Sequence, residues 1–407
     1  MLRLPVLAVV AVLAGSIVPA GQPAVAAPTR GLVLERAVLV MRHGIRAPLD
    51  GEVPPGTRTG APWPAWPVAE SRITPHGVRA LERVAAYDRR VLTEHGLFGR
   101  NGCPADGVRI RSNSSDRTIA SGEAYAAGFA PGCKLVVEHR PLGTVDPVFE
   151  PLRARATRFD AAAAIAAINR ETGGMAMLAR RHGAALARLD RVLGCTPVGR
   201  GCVSAGMPAI AASADGHDLV LTGPIRAASG IAQVLLLQEA EGFPRENVGW
   251  GRVKPTALEQ LGALHAALFA VFTHPPYMAA HQAAIVGREV RASLSSTGPR
   301  LTVFMGHDTT VTALAAALRI DLKAPGYATN DVPPGGALLI ERLRDRRSGV
   351  RFIRVSYRTQ SLETLRGLGR SASLLPMAIP GCPRRSCTAA MFSRLLSSRL
   401  APLQPAG

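Results

Sequence analysis

Two short apolar runs, Ala37–Met41 near the start of the chain and Leu301–Met305 near its end, each stop abruptly at a polar segment that contains histidine. A run of that length without polar alternation suits a strand covered on both faces, the condition of a parallel strand in a layered α/β sheet. Val108–Arg111 predicts a further strand, which leads into the polar turn Ser112–Asp116 and a helix to about Gly128. Helical periodicity covers Leu81–Leu97, an Ala-rich stretch from about 150 to 245 that includes the amphipathic segment Arg180–Leu193, and Val311–Leu318. Ala337–Arg342 and Val350–Tyr357, joined by a charged turn, predict a hairpin. The Pro- and Gly-rich residues 49–67 predict a loop packed down by Trp63 and Trp66. Strands at both ends with helices between them predict an α/β sheet domain carrying a mostly helical insertion.

Composition excludes several classes. At 47% hydrophobic and 19% charged residues the chain is too apolar to stay disordered. Beyond the N-terminal segment no apolar run reaches the ~18 residues of a membrane-spanning helix. The net charge of +19 comes from 48 Lys and Arg against 29 Asp and Glu, with Lys134, Lys254 and Lys323 the only lysines. That balance attracts anions. No basic run and no aromatic–basic interleaving accompanies it, so no nucleic-acid partner is expected, while a small phosphate-bearing substrate fits. Residues 1–26 read as an export signal: Arg3, the apolar Leu4–Leu13, then the small-residue cleavage site Ala24-Val25-Ala26. The six cysteines fall in near pairs, Cys103 with Cys133, Cys195 with Cys202 and Cys382 with Cys387, none at zinc-ligand spacing. Local disulfides in an oxidising compartment, secreted or periplasmic, are the expectation.

The strand at 37–41 ends in Arg42-His43-Gly44-Ile45-Arg46-Ala47-Pro48. In open α/β sheets the ligand crevice lies beyond the carboxyl ends of the strands, so this segment sits where chemistry is done. A histidine with an arginine one residue before and three after can be a nucleophile in a cationic cradle. Gly44 would let the backbone approach a ligand closely. The strand at 301–305 ends in Gly306-His307-Asp308-Thr309, the same grammar. After 108–111, Asn113–Thr118 opens a helix in which Arg117 and the first N–H groups can hold an anion. Taken together, these strand ends form a phosphoryl-transfer constellation.

With these motifs the chain resembles the histidine acid phosphatases, a mostly secreted branch of the histidine phosphatase superfamily, over about residues 35–390. Further similar segments are Ala65-Trp66-Pro67-Val68, Ser121-Gly122-Glu123-Ala124, Asp146-Pro147-Val148-Phe149, Glu241-Gly242-Phe243-Pro244 and Pro333-Pro334-Gly335-Gly336. Within the branch it looks most like the bacterial periplasmic phytases and glucose-1-phosphatases. The resemblance implies an α/β fold: a Rossmann-like central sheet with helices on both faces and a smaller, mostly α-helical inserted subdomain. The layout would be a leader at 1–26 and one domain over 27–407, with a loop and helical insert at about 50–100 and a helical cap at about 150–255. It also implies His43 as nucleophile, Asp308 as leaving-group acid, and Arg42, Arg46, Arg117 and His307 as holders of the phosphoryl oxygens. No metal and no cofactor is implied, because the guanidiniums neutralise the transferring charge.

Departures from the pattern bear on substrate. Phytase members typically follow the first motif with Thr and Lys, where this chain has Leu49 and Asp50. An acidic side chain there repels a polyanion, so a sugar phosphate or a broad monoester range stands beside phytate. Arg181-His182-Gly183 and Gly216-His217-Asp218 repeat the motifs without a preceding strand and are expected to be surface. His76, His95, His139, His265, His274 and His281 are expected to have ordinary structural roles. A phosphoglycerate-mutase-like phosphotransferase and a non-catalytic phosphate-binding protein are the alternative readings. Export and cysteine pairs speak against the first, the intact His43 and Asp308 against the second. Oligomeric state is left open.

Overall fold

The structure is a computed structural model that describes residues 31–196, 199–294, 298–383 and 387–401. The expected leader at 1–26 lies outside the described residues. Nine strands occur among those described: β1 (Leu32–Arg42), β2 (Val108–Ser112), β3 (Val137–Glu138), β4 (Ala209–Ala212), β5 (Leu219–Thr222), β6 (Leu301–Gly306), β7 (Ala337–Asp345), β8 (Arg351–Thr359) and β9 (Ser373–Met377). Seven of them form one sheet in the order β3-β2-β6-β1-β7-β8-β9. The β3-β2-β6-β1 half is parallel and the β7-β8-β9 half antiparallel.

The helices are α1 (Pro75–Glu94), α2 (Asp116–Phe129), α3 (Ala161–Thr172), α4 (Met175–Arg181), α5 (Gly183–Leu193), α6 (Pro224–Glu241), α7 (Pro255–Phe272), α8 (Pro276–Gln282), α9 (Ala284–Ser293), α10 (Asp308–Ala317), α11 (Leu362–Arg366) and α12 (Ala389–Leu400). The pleat of β1 sends alternate side chains to opposite faces. Val38 and Val40 join a core with α9, α10 and α12 through Val290, Val311, Leu314 and Leu396. Ala37, Leu39 and Met41 join another with α1 and α2 through Leu81, Val84 and Phe129. The fold is therefore α/β with helices on both faces of the central sheet. An uninterrupted apolar strand is what such double coverage requires.

A helical layer is built on α3–α7 around Leu189, Leu235 and Leu261 on one side and Ile168, Leu178 and Val271 on the other. It departs from the sequence expectation in several ways. It continues past 255 through α7 and α8. It also contains the hairpin β4–β5, whose Ala209-Ile210-Ala211-Ala212 strand looks helical by composition although Asp215-Gly216 is a hairpin turn signal. Arg180–Leu193 is two helices broken at His182. α1, expected within an insertion, packs on the sheet; only the loop ahead of it stands apart, with Trp63 against Trp250 and Trp66 against Phe243. Disulfides join Cys103 to Cys133, Cys195 to Cys202 and Cys382 to Cys387.

Candidate active site

Register decides which side chains meet. In the parallel β1–β6 pair Arg42 lies opposite Gly306, and in β2–β6 Ser112 lies opposite Met305, so the three strands stop at one level. The backbone stays tied just beyond that level: the His43 N–H donates to Gly306 O (2.9 Å) and the Asn113 N–H to Met305 O (3.0 Å). From the antiparallel side, the turn before β7 brings the Gly335 N–H to His43 O (3.0 Å). Gly44 has a packing reason as well as its expected place near a ligand. A Cβ there would sit 2.7 Å from Leu81 Cδ1 and 3.0 Å from Ile73 Cδ1, so its role is to let the loop seat on α1.

His43 is 3% exposed, and its Nδ1 lies 2.8 Å from Gly44 O. A neutral ring donates Nδ1–H there and keeps the Nε2 lone pair free. Burial holds His43 well below the usual histidine range, followed by the charges of Arg117, Arg46, Arg42 and His307. The ring therefore stays a neutral nucleophile candidate in acid. Arg46 is clamped bidentately by Glu52 at 2.9 and 2.5 Å, and the same carboxylate accepts the Leu49 N–H at 2.9 Å. Arg117, in the first turn of α2, has no hydrogen-bond partner for its Nε among the described residues. Its guanidinium is lowered to about 10 by burial and by Arg46, against the pull of Asp308, Glu52 and Glu150. A cation in that position is stabilised by an arriving anion.

Arg42 is wholly buried. It donates to Val332 O and to Gln233 Oε1 (2.7 Å), and its Nη2 lies 3.2 Å from Asp308 Oδ2. Asp308 opens α10, with Oδ1 accepting the Thr309 N–H at 2.8 Å. Burial raises its carboxyl, but Arg42, His265, His307 and that N–H outweigh burial and hold it well below the usual carboxylate range. His307 stands 5.7 Å from His43 between ring centroids and is lowered to about 3 by burial and then Arg117, so it is neutral too. Its Nε2 is 2.7 Å from Asn113 Nδ2, and the Ser114 N–H fixes the amide by donating to Asn113 Oδ1 at 2.8 Å. The amide is thus aimed at the His307 ring.

Leu49 and Asp50 line a cavity of about 200 Å³ with Trp63, Trp66, Glu70 and Val234. The repeated motifs lie elsewhere: His182 at the break between α4 and α5, and Gly216-His217-Asp218 in the β4–β5 turn. Sequence reasoning missed Glu52, Asn113, Gln233 and Asp331. It also assigned His265 a structural role, whereas its Nε2 faces Asp308 Oδ2 at 3.6 Å. A lone histidine in the apolar helix α7 was the available signal, because a buried polar group needs a partner. His76, His95, His139 and His281 bond to Leu365 O, Glu341, Arg140 O and Thr157 away from this edge.

Comparison with known proteins identifies the family. Residues 33–160 and 245–358 match the family model described as histidine phosphatase superfamily (branch 2). The chain is 30% identical to phytase AppA of Escherichia coli over 91% of its own length and 93% of the phytase's. It is 28% identical to a glucose-1-phosphatase of Salmonella typhimurium over 87% and 88%. The solved structure of Hafnia alvei phytase with tartrate superimposes with a TM-score of 0.85 at 30% identity, covering 92% of this chain and 99% of that one.

Proposed function

The chain belongs to branch 2 of the histidine phosphatase superfamily and is a phosphatase, and from that premise we propose an exported phosphomonoesterase with His43 as nucleophile and Asp308 as acid. The observation that carries this is the shared level of three strand ends, which gathers a neutral His43, a ring of arginines and a carboxylate. His43 Nε2 attacks phosphorus, the bond to the leaving oxygen breaks, and Asp308 gives that oxygen a proton. Water then attacks the phosphohistidine, Asp308 takes a proton from it, and the N–P bond breaks. Arg46, Arg117 and Arg42 face the developing charge, with the neutral His307 ring beside His43. A covalent intermediate divides one hard displacement into two easier ones. The disulfides among the described residues and the expected leader support an extracytoplasmic site of action.

The substrate favoured is a small monoester with a neutral polyhydroxy leaving group, such as a sugar phosphate. Asp50 and Glu70 beside the cavity repel additional phosphates and accept hydroxyl protons, while Trp63 and Trp66 offer aromatic faces to a sugar ring. The Trp63 Nε1–H is buried without a partner among the described residues and suits a ligand oxygen. Val234 is the helical layer's contribution to this wall. Phytate is the second reading, favoured by the relatives named phytase. Turnover of p-nitrophenyl phosphate that persists in EDTA, and is lost in His43→Ala, tests the class. Saturable phosphate binding without turnover would refute it. A kcat/KM for glucose 1-phosphate above that for phytate tests the substrate, and the reverse order would select phytate.

A further inference from the structure

Asp308 is surrounded by positive groups and ionised at rest, yet a leaving-group acid must carry a proton when the ester bond breaks. The residues behind it answer this. His265, 5% exposed on α7, spans two carboxylates: its Nδ1 lies 2.9 Å from Asp331 Oδ1 and its Nε2 3.6 Å from Asp308 Oδ2. Asp331 is 2% exposed. Its Oδ1 also accepts from Gln233 Nε2 (3.3 Å), and Gln233 in turn accepts from Arg42, which faces Asp308. The circuit is closed and buried, and none of its members beyond Arg42 and Asp308 is used by the chemistry above. Space has been kept for it: one turn before His265, a Cβ on Gly262 would lie 2.3 Å from Asp331 Oδ2.

We propose that His265, braced by Asp331, holds in the resting enzyme the proton that Asp308 delivers to the leaving alkoxide. The proposal rests on the phosphatase reading of Asp308. At rest the imidazolium of His265 sits between the Asp331 and Asp308 carboxylates. An entering phosphate dianion compensates Arg42, Arg46 and Arg117 and repels the Asp308 carboxylate, so the neutral carboxyl becomes the favoured form. The Nε2–H bond breaks as the Oδ2–H bond forms, leaving a neutral His265 with its Nδ1–H on Asp331. As the P–O bond breaks, that proton passes to the leaving oxygen. In the second half-reaction Asp308 takes a proton from the attacking water, and this proton returns to His265 when phosphate departs. His265 does not touch the substrate and is a positioning residue.

The charged and titratable groups that face this pair are Arg42 from β1, Arg117 from α2 and His307 after β6 at Asp308, and Asp331 at His265. Behind them, Tyr327 before β7 and Tyr357 from β8 act on Asp331 and Arg42, and Arg358 from β8 acts on Tyr357. Burial raises both tyrosines, and His307 is already neutral. Within this surround, His265 is the imidazole whose Nε2 faces the Asp308 carboxylate. A proton shared by two coupled sites is lost at an apparent value that belongs to the pair.

The test compares kcat/KM for an alkyl ester, glycerol 2-phosphate, with that for p-nitrophenyl phosphate across pH, because ionisations of substrate and cradle largely cancel in the ratio. The aryl oxygen leaves without a proton and the alkyl oxygen does not. His265→Gln is expected to lower the alkyl-to-aryl ratio at least about tenfold and to move its alkaline fall roughly one pH unit towards acid. Equal losses on both esters, or an unmoved alkaline fall, would overturn the proposal. Should His265→Gln not accumulate as folded protein, Asp331→Asn reads the same fall, with the same direction expected and the same result refuting. Wild-type protein without turnover of p-nitrophenyl phosphate would instead sink the phosphatase reading itself.

Discussion

Replacing Glu52 by Gln should weaken the fold and tighten phosphate binding at once. Glu52 is 8% exposed and holds both terminal nitrogens of Arg46 as well as the Leu49 N–H. Gln keeps the shape but supplies one acceptor where two served, and its amide N–H groups face the guanidinium donors. Breaking a buried pair costs about 3–5 kcal/mol. The side chains here retain 4% and 11% exposure, so the lower end, about 3 kcal/mol, is expected. At roughly 2 °C per kcal/mol for a large domain, the Tm should fall by about 6 °C. The released Arg46 charge then lacks a partner beside Arg117, and inorganic phosphate supplies one. A charge-assisted hydrogen bond of about 1.5–3 kcal/mol makes phosphate bind on the order of 10–100-fold more tightly. Thermal unfolding with a phosphate titration reads both effects, since ligand stabilises by RT ln(1 + [L]/Kd). Without phosphate the variant should melt below the wild type, and saturating phosphate should close most of the gap. A variant as stable as wild type, or one that phosphate stabilises no more than wild type, refutes the clamp as described.

Asp308→Asn should lower kcat/KM for alkyl esters by ~10²–10⁴-fold and for p-nitrophenyl phosphate far less, read by steady-state kinetics at acid pH; equal losses would remove Asp308 from the acid role. Acid should destabilise the ligand-free protein. His43 and His307 are held neutral in the fold, so the unfolded chain binds more protons below its own histidine value of about 6.5, and stability falls by up to about 1.4 kcal/mol per pH unit for each. For His307 the fall continues down to about 3, and His307→Asn should flatten the slope of Tm against pH. Leu49→Thr with Asp50→Lys should raise the phytate to glucose 1-phosphate ratio of kcat/KM, by roughly tenfold if one charge-assisted contact of about 1.4 kcal/mol is gained.

What could be read from the sequence depended on how local the cause was. β1 and β6 were visible because a strand covered on both faces must be continuously apolar, and the polar residues that follow each strand are its immediate neighbours in sequence. β4 was misread because Ala209–Ala212 carries no periodicity that separates strand from helix. The end-to-end reading of Arg180–Leu193 failed at His182, where the helix axis breaks without proline. Glu52, Asn113 and Asp331 escaped for a different reason. Asn113 and Asp331 matter through distant partners, His307 and His265, of which spacing along the chain carries no trace, whereas Glu52 is only six residues from Arg46 but lies in a stretch that reads as loop. Gly44 shows the converse: its place in a motif suggested a ligand, and its neighbours Leu81 and Ile73 supply a packing reason.

The position of β6 between β1 and β2 has a consequence for biogenesis. β1 and β2 emerge early from the ribosome or the export channel, and the strand that fills the slot between them emerges only after the whole helical layer. Until then two parallel strand edges stand unpaired, the condition in which strands of different chains find each other. Loop closure over so long an intervening segment makes the last pairing slow. The delay is also protective. His307 and Asp308 travel with β6, so the proposed acid arrives only as the parallel half of the sheet is completed. A chain arrested anywhere before that point carries His43 and its arginines but lacks Asp308, so under the proposed mechanism hydrolytic competence waits for β6.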